Sequence, residues 1–219
     1  MRRWCGLVVL AVGLALPVMA ERPDIVLADF EGKDYGDWRV EGEAFGPAPA
    51  RGTLPNQMAV SGYRGQGLVN SYYGGDDSIG TLTGPDFVIE RRYLNFLIGG
   101  GMHPGKACID LLIDGQVLRT ATGPNDRPGG SEALAWHTWD LADLQGRTAC
   151  LRIVDRQKGG WGHINIDHIV LSDRRFAVDP RRTMRFERRY LNLPVKTGAP
   201  KRRMRITING RTVRELSLI

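Results

Sequence analysis

Helical periodicity is almost missing from this chain of 219 residues. Only Ala142–Leu144 supports a helical turn, and a short one, which excludes bundles and doubly wound folds built on long amphipathic helices. Long apolar runs are missing too. After the first twenty residues no stretch is long or apolar enough to cross a bilayer as a helix. Cysteine is scarce, with 3 in the chain. Cys5 falls within the first twenty residues, which leaves Cys108 and Cys150. Neither has a second Cys or His nearby at ligand spacing, so they do not read as a metal site. In an oxidising compartment they are either a disulfide or two buried thiols on neighbouring strands, and the sequence leaves both open.

What the chain does have begins with its N-terminus. Arg2 and Arg3 precede an apolar stretch from Leu7 to Leu16, and Val18-Met19-Ala20 suits cleavage. Residues 1–20 therefore read as a secretory signal peptide, and the mature protein is expected to be secreted or periplasmic, with no membrane contact once the signal is cut. The formal net charge of +6 conceals two regions. Residues 174–219 hold 14 Lys/Arg against 3 Asp/Glu, a net of +11; the other 16 basic and 21 acidic residues give −5. Few aromatic residues lie among the tail's arginines, which with export argues against a nucleic-acid partner.

Short strand-like runs separated by glycine-rich turns fill residues 24–173. Ile25–Phe30, Tyr93–Ile98, Cys108–Ile113, Gln116–Thr122, Thr148–Val154 and His163–Leu171 read as strands, and Asp114-Gly115 is a hairpin signal between two of them. This pattern predicts an all-β fold, a jelly-roll β-sandwich. Residues 174–182 read as a linker. Residues 183–219, with runs at Thr183–Val195 and Arg203–Leu218 and a turn at Asn209-Gly210, read as the truncated start of a second small β module.

The most informative segment is Gly159-Gly160-Trp161-Gly162-His163-Ile164-Asn165-Ile166-Asp167. Strand alternation lines up His163, Asn165 and Asp167 on one face and sends Ile164 and Ile166 to the other. An indole between glycines beside imidazole, amide and carboxylate groups suits a sugar, whose C–H face stacks while its hydroxyls find polar partners. The glycine-rich loops Tyr72–Asp77, Gly99–Lys106, Gly123–Trp136 and Asp155–His163 supply further candidates. Asp76, His103, Glu132, His163 and Asn165 are candidate hydroxyl contacts, Arg119 and Arg156 additional donors, and Trp161 and Trp136 stacking rings.

Several segments occur together with this one: Asp29-Phe30-Glu31, Ala44-Phe45-Gly46-Pro47, Leu68-Val69-Asn70-Ser71, Thr81-Leu82-Thr83-Gly84-Pro85, Phe96-Leu97-Ile98-Gly99-Gly100-Gly101 and Ile153-Val154-Asp155. The set resembles the non-catalytic N-terminal β-sandwich of bacterial family 32 glycoside hydrolases of the levanase and fructanase type, and Tyr190-Leu191-Asn192-Leu193-Pro194-Val195 resembles the module that follows it. The resemblance implies an accessory fructan-binding module with a family 32 catalytic domain in cis or missing. The aspartate nucleophile, glutamate acid/base and Arg-Asp-Pro motifs of that catalytic domain are not found here, so the chain is not expected to be catalytic. The likeness to galactose-binding jelly rolls further implies a structural calcium, with Asp29, Glu31 and Asp167 as ligands and no other cofactor; oxygen ligands suit that cation. Two other readings remain. The chain is itself a hydrolase, which a carboxylate pair about 5–9 Å apart in the main cleft would favour. Alternatively it is an envelope adhesion protein whose basic tail holds anionic polymers.

Overall fold

The computed structural model describes residues 22–177, 190, 202–209 and 211–218. The expected signal peptide at 1–20, most of the linker and the run at 183–195 apart from Tyr190 lie outside the described residues. The chain divides into two units, Met1–Val178 and Asp179–Ile219.

In chain order the strands of the first unit are β1 (Ile25–Ala28), β2 (Arg39–Gly42), β3 (Val69–Asn70), β4 (Gly80–Thr83), β5 (Phe87–Val88), β6 (Tyr93–Gly100), β7 (Ala107–Ile113), β8 (Gln116–Ala121), β9 (Ala135–Asp140), β10 (Thr148–Asp155) and β11 (Ile164–Ser172). One sheet runs β1-β11-β6-β9, with β3 added to β11; the other runs β2-β4-β10-β7-β8, with β5 added to β10. All of these pairings are antiparallel, and the first and last strands lie side by side. The unit is an all-β jelly-roll sandwich.

Period-two alternation explains how it holds together. Leu94, Phe96 and Ile98 of β6 and Ile164 and Ile166 of β11 meet Ile109, Leu111 and Ile113 of β7 and Leu151 and Ile153 of β10 in one buried core. Full burial of side chains this size contributes on the order of 1.5–3 kcal/mol each. At the β7–β8 hairpin, Asp114 and Gly115 have φ of 51° and 74°, the pair of left-handed residues a two-residue primed turn requires.

The reading of Cys108 and Cys150 as a disulfide is corrected: both are free thiols. They do lie on neighbouring strands, but Cys108 is opposite Val154 and Cys150 opposite Leu112. That four-residue offset separates them by roughly 13 Å along the strands, too far for a bridge. Burial pushes the Cys108 thiol up to about 11.

In the second unit β12 (Arg202–Ile208) and β13 (Arg211–Leu218) form an antiparallel hairpin, with Ile208 opposite Arg211 and Asn209 at φ 50° in the turn.

Candidate functional site

Loops from four parts of the chain enclose a cleft of about 410 Å³ at one end of the sandwich. Asn56, Gln57 and Met58 come from the first, Tyr72 and Asp76 from the second, Arg127 and Glu132 from the third, and Trp161 and His163 from the fourth. The second and fourth are tied by backbone bonds. Gly159 N–H donates to the Asp76 carbonyl at 3.1 Å, and Ser71 N–H donates to the Ile164 carbonyl at 3.1 Å. This close passage is why residue 162 is glycine: a Cβ there would stand 2.5 Å from the Asp76 carbonyl oxygen.

Behind the cleft wall lies a buried chain of hydrogen bonds. His163 Nδ1 meets Asp76 Oδ1 at 2.6 Å, and its Nε2 meets Glu132 Oε1 at 2.8 Å. Asn165 Nδ2 donates to Glu132 Oε2 at 2.8 Å. His163, Glu132 and Asn165 are all buried. Ionised carboxylates only accept, so both ring nitrogens must donate and the ring is an imidazolium. Burial pushes the His163 pKa down, but the hydrogen bonds and charges of Glu132 and then Asp76 more than offset this and hold it above the ordinary value.

Two aromatic rings frame this ladder. Tyr72 packs edge-on to His163 at 5.0 Å, and Trp161 lies tilted over it at 5.8 Å. Trp161 Nε1 donates to the Arg127 carbonyl at 3.0 Å, which pins the indole across the cleft. Its φ of 60° is left-handed, a conformation that costs a bulky residue on the order of 1 kcal/mol or more and is met where surrounding structure dictates it.

The sequence candidates divide accordingly. Asp76, Glu132, Trp161 and His163 line one cleft, and Asn165 backs it. Glu132 spends both oxygens on His163 and Asn165, so it serves as a support; Asp76, at 31% side-chain exposure, presents carboxylate to solvent. Arg119 lies elsewhere, on β8, paired with Asp143 at 2.8 Å. Arg156 and His103 do not line the cleft; Arg156 is exposed, and the His103 backbone bridges Ala107. Trp136 belongs to a different groove. Sequence reasoning missed Asn56, Gln57, Met58, Tyr72 and Arg127 as cleft residues. The Tyr72 loop and the Asn125–Pro128 stretch were conspicuous, whereas nothing in 56–58 distinguishes it from an ordinary turn.

It also missed Asp155, at the end of β10. The side chain is fully buried, and neither carboxylate oxygen has a hydrogen-bond partner of good geometry. Burial pushes its pKa up to about 7, against smaller downward pulls from Ser71 and the His163 charge.

The calcium expectation meets a partial fit. Burial first, then the charges of Glu31 and Asp29, push Asp167 up to about 6, so the three acids lie within electrostatic reach. Asp167 Oδ1 is buried without a partner. Glu31, however, accepts from the Gln66 and Gly67 amides, and Asp29 from the Glu31 amide. Among the described residues no three His, Cys, Asp or Glu side chains form a group that could hold a metal ion.

No protein-family model matches the chain. A protein of Aspergillus rugulosus named as a glycosyl hydrolase, ecdE, is 38% identical over 154 residues, which is 69% of this chain and 21% of that protein. The chain thus spans about a fifth of its relative's length, and the relative's name specifies neither a hydrolase family nor a sugar. Among solved structures, a cyclase from Fischerella sp. TAU aligns with TM-score 0.44 and 16% identity over 68% of this chain and 97% of its own. A family 35 carbohydrate-binding module from Clostridium thermocellum aligns with TM-score 0.35 and 13% identity over the same shares. Likenesses at these scores carry no argument about function.

Proposed function

We propose that residues 24–173 are an accessory carbohydrate-binding module of a secreted glycoside hydrolase, and that its ligand is a fructan of the kind family 32 enzymes degrade. The observation that supports this most directly is the cleft itself. Trp161 and Tyr72 supply apolar surface, and Asp76 offers a carboxylate held at 2.6 Å by a buried imidazolium. Recognition by a few oriented polar groups beside aromatic rings is the usual chemistry of a sugar site. A furanose has a small apolar face, so Asp76 and Arg127 carry more of the recognition than stacking does. Tethering a catalytic domain to its polymer raises local concentration, which makes even weak binding useful.

Calorimetry of the protein against levan, inulin and fructose tests this. Binding should be lost by about tenfold or more in Trp161→Ala, since an aromatic contact with its buried area is worth about 1.4 kcal/mol or more. No heat with any fructan would remove the fructan assignment, and no heat with a panel of neutral sugars would remove the module reading.

One observation favours the hydrolase alternative. Asp76 and Glu132 face each other across the cleft wall, and two hydrogen bonds plus an imidazole width put them roughly 7 Å apart. Yet the space between them is filled by the His163 ring, which both carboxylates grip. Neither water nor a glycosidic bond fits between them, so this pair supports binding and not cleavage.

A calcium ion at the β1–β11 end belongs to the same proposal, with Asp167 as its principal ligand and Asp29 and Glu31 nearby. Calcium at roughly 100 times its Kd should stabilise the chelator-treated protein by about 2.7 kcal/mol. Asp167→Asn should abolish that gain in a thermal melt, and a wild-type melt indifferent to calcium would dismiss the ion.

A further inference from the structure

A second groove, of about 440 Å³, crosses the outer face of the β1-β11-β6-β9 sheet. Its floor is Trp136 of β9 with His168 and Val170 of β11; Arg64 forms one wall, Arg174 and Phe176 the other. Trp136 is firmly placed. Phe176 meets it edge-on at 4.9 Å, His168 edge-on at 6.0 Å, and the Arg64 guanidinium lies 5.0 Å over its ring.

The backbone of β11 is adapted to this arrangement. Its register slips between Asp167 and Val170 against β6, the β1 pairing slips at the same level, and His168 takes a left-handed φ of 50°. A bulge of this kind re-aims a side chain. Here it leaves His168 partly open to the groove between two buried neighbours, Asp167 and Ile169.

The electrostatics are unbalanced toward positive charge. Arg64 can only donate, so in its 3.4 Å contact His168 Nε2 is the acceptor. Asp24, the acid on the lining, is already engaged by the Ser172 hydroxyl at 2.6 Å and by Arg174 at 3.2 Å. Glu31 and Asp29 are held by the amides named above. Arg64 has no acidic partner within ion-pair distance among the described residues. An exposed guanidinium stacked on an indole, with its donors unclaimed by any carboxylate, is a preorganised fork for an oxyanion.

The geometry points to a second binding groove that takes an acidic saccharide unit, a sugar ring bearing a carboxylate. The carboxylate pairs with Arg64, while the ring's C–H surface lies against Trp136, Phe176 and the exposed Val26. A neutral sugar offers Arg64 only hydroxyl acceptors, without the charge-assisted bidentate pairing that a carboxylate gives. The groove therefore selects a different chemistry from the cleft at Trp161, and its argument does not depend on the fructan assignment.

Calorimetric or NMR titration of the whole chain at low salt, with glucuronate, glucose and acetate as probes, decides the matter. Glucuronate should bind about tenfold or more tightly than either glucose or acetate. Arg64→Gln, at an exposed position, should remove that preference with the fold intact by circular dichroism, and Trp161→Ala should leave it unchanged. Asp24→Asn should strengthen it. Glucuronate binding no better than glucose overturns the proposal, as does binding no better than acetate. A preference that survives Arg64→Gln or disappears with Trp161→Ala overturns it equally.

Discussion

Asp155→Asn should unfold at a distinctly higher temperature than the wild type at pH 8, and at nearly the same temperature near pH 4.5. The carboxyl of Asp155 is buried without good hydrogen bonds and its pKa is pushed up to about 7, against about 3.9 in an unfolded chain. A raised folded pKa means the native state holds its proton more tightly than the unfolded state does. The associated stability is fully present below about pH 4 and is lost as pH rises through 7. Asparagine mimics the protonated acid and has nothing to lose. The difference at pH 8 should reach on the order of 2–4 kcal/mol, or roughly 5–10 °C for a domain of this size. Asp167, pushed up to about 6, slopes in the same direction. So does His163, whose raised pKa contributes stability below its unfolded value of about 6.5 and forfeits it above the folded one. The wild type should thus be more stable at mildly acidic pH than at pH 8, and a flat profile in thermal melts would contradict this account of Asp155.

His163→Ala should destabilise the fold by about 3–5 kcal/mol, measured by urea unfolding at pH 6. The imidazolium is the counter-charge for Glu132, which is 2% exposed and among the described residues has no other cation within reach of its hydrogen bonds. Removing the ring leaves a buried carboxylate bonded only to Asn165. The double variant His163→Ala, Glu132→Gln should recover much of the loss, because it removes the stranded charge. If His163 were only a surface ligand contact, the single variant would lose binding and retain its stability. Substituting Asp76, which is partly exposed, should cost far less stability than substituting Glu132.

Much of the sandwich was legible because its central strands alternate cleanly. Ala107–Ile113, Thr148–Asp155 and Ile164–Ser172 fall within a residue or so of the runs predicted for them, and Asp114-Gly115 specified its hairpin through backbone chirality alone. Strand β9 was not legible. Ala-Trp-His-Thr-Trp-Asp presents Trp139 to the core, but its opposite face carries Trp136 into a polar groove, so no simple alternation shows. The short strands β2 to β5 were likewise too brief for a period to register. At the site, glycine-rich loops marked the right neighbourhoods, yet which side chains meet depends on contacts across 87 and 31 residues, which no local pattern encodes. That is why Glu132 read as a hydroxyl contact and proved to be a buried support for His163 and Asn165, and why Arg119 was proposed at a cleft it does not reach.

Strand β11 takes β1, β3 and β6 as neighbours, and the residues just before it complete the cleft. On a ribosome, everything up to β10 emerges before this strand does. The nascent sandwich would wait with its central seam open and Glu132 without its imidazolium. Closing that seam couples residues nearly the whole domain apart, a step slowed by the entropy of joining distant segments. Binding competence is therefore gained late and all together, and a chain stopped short of residue 172 should emerge as a substrate for proteolysis instead of a weaker binder.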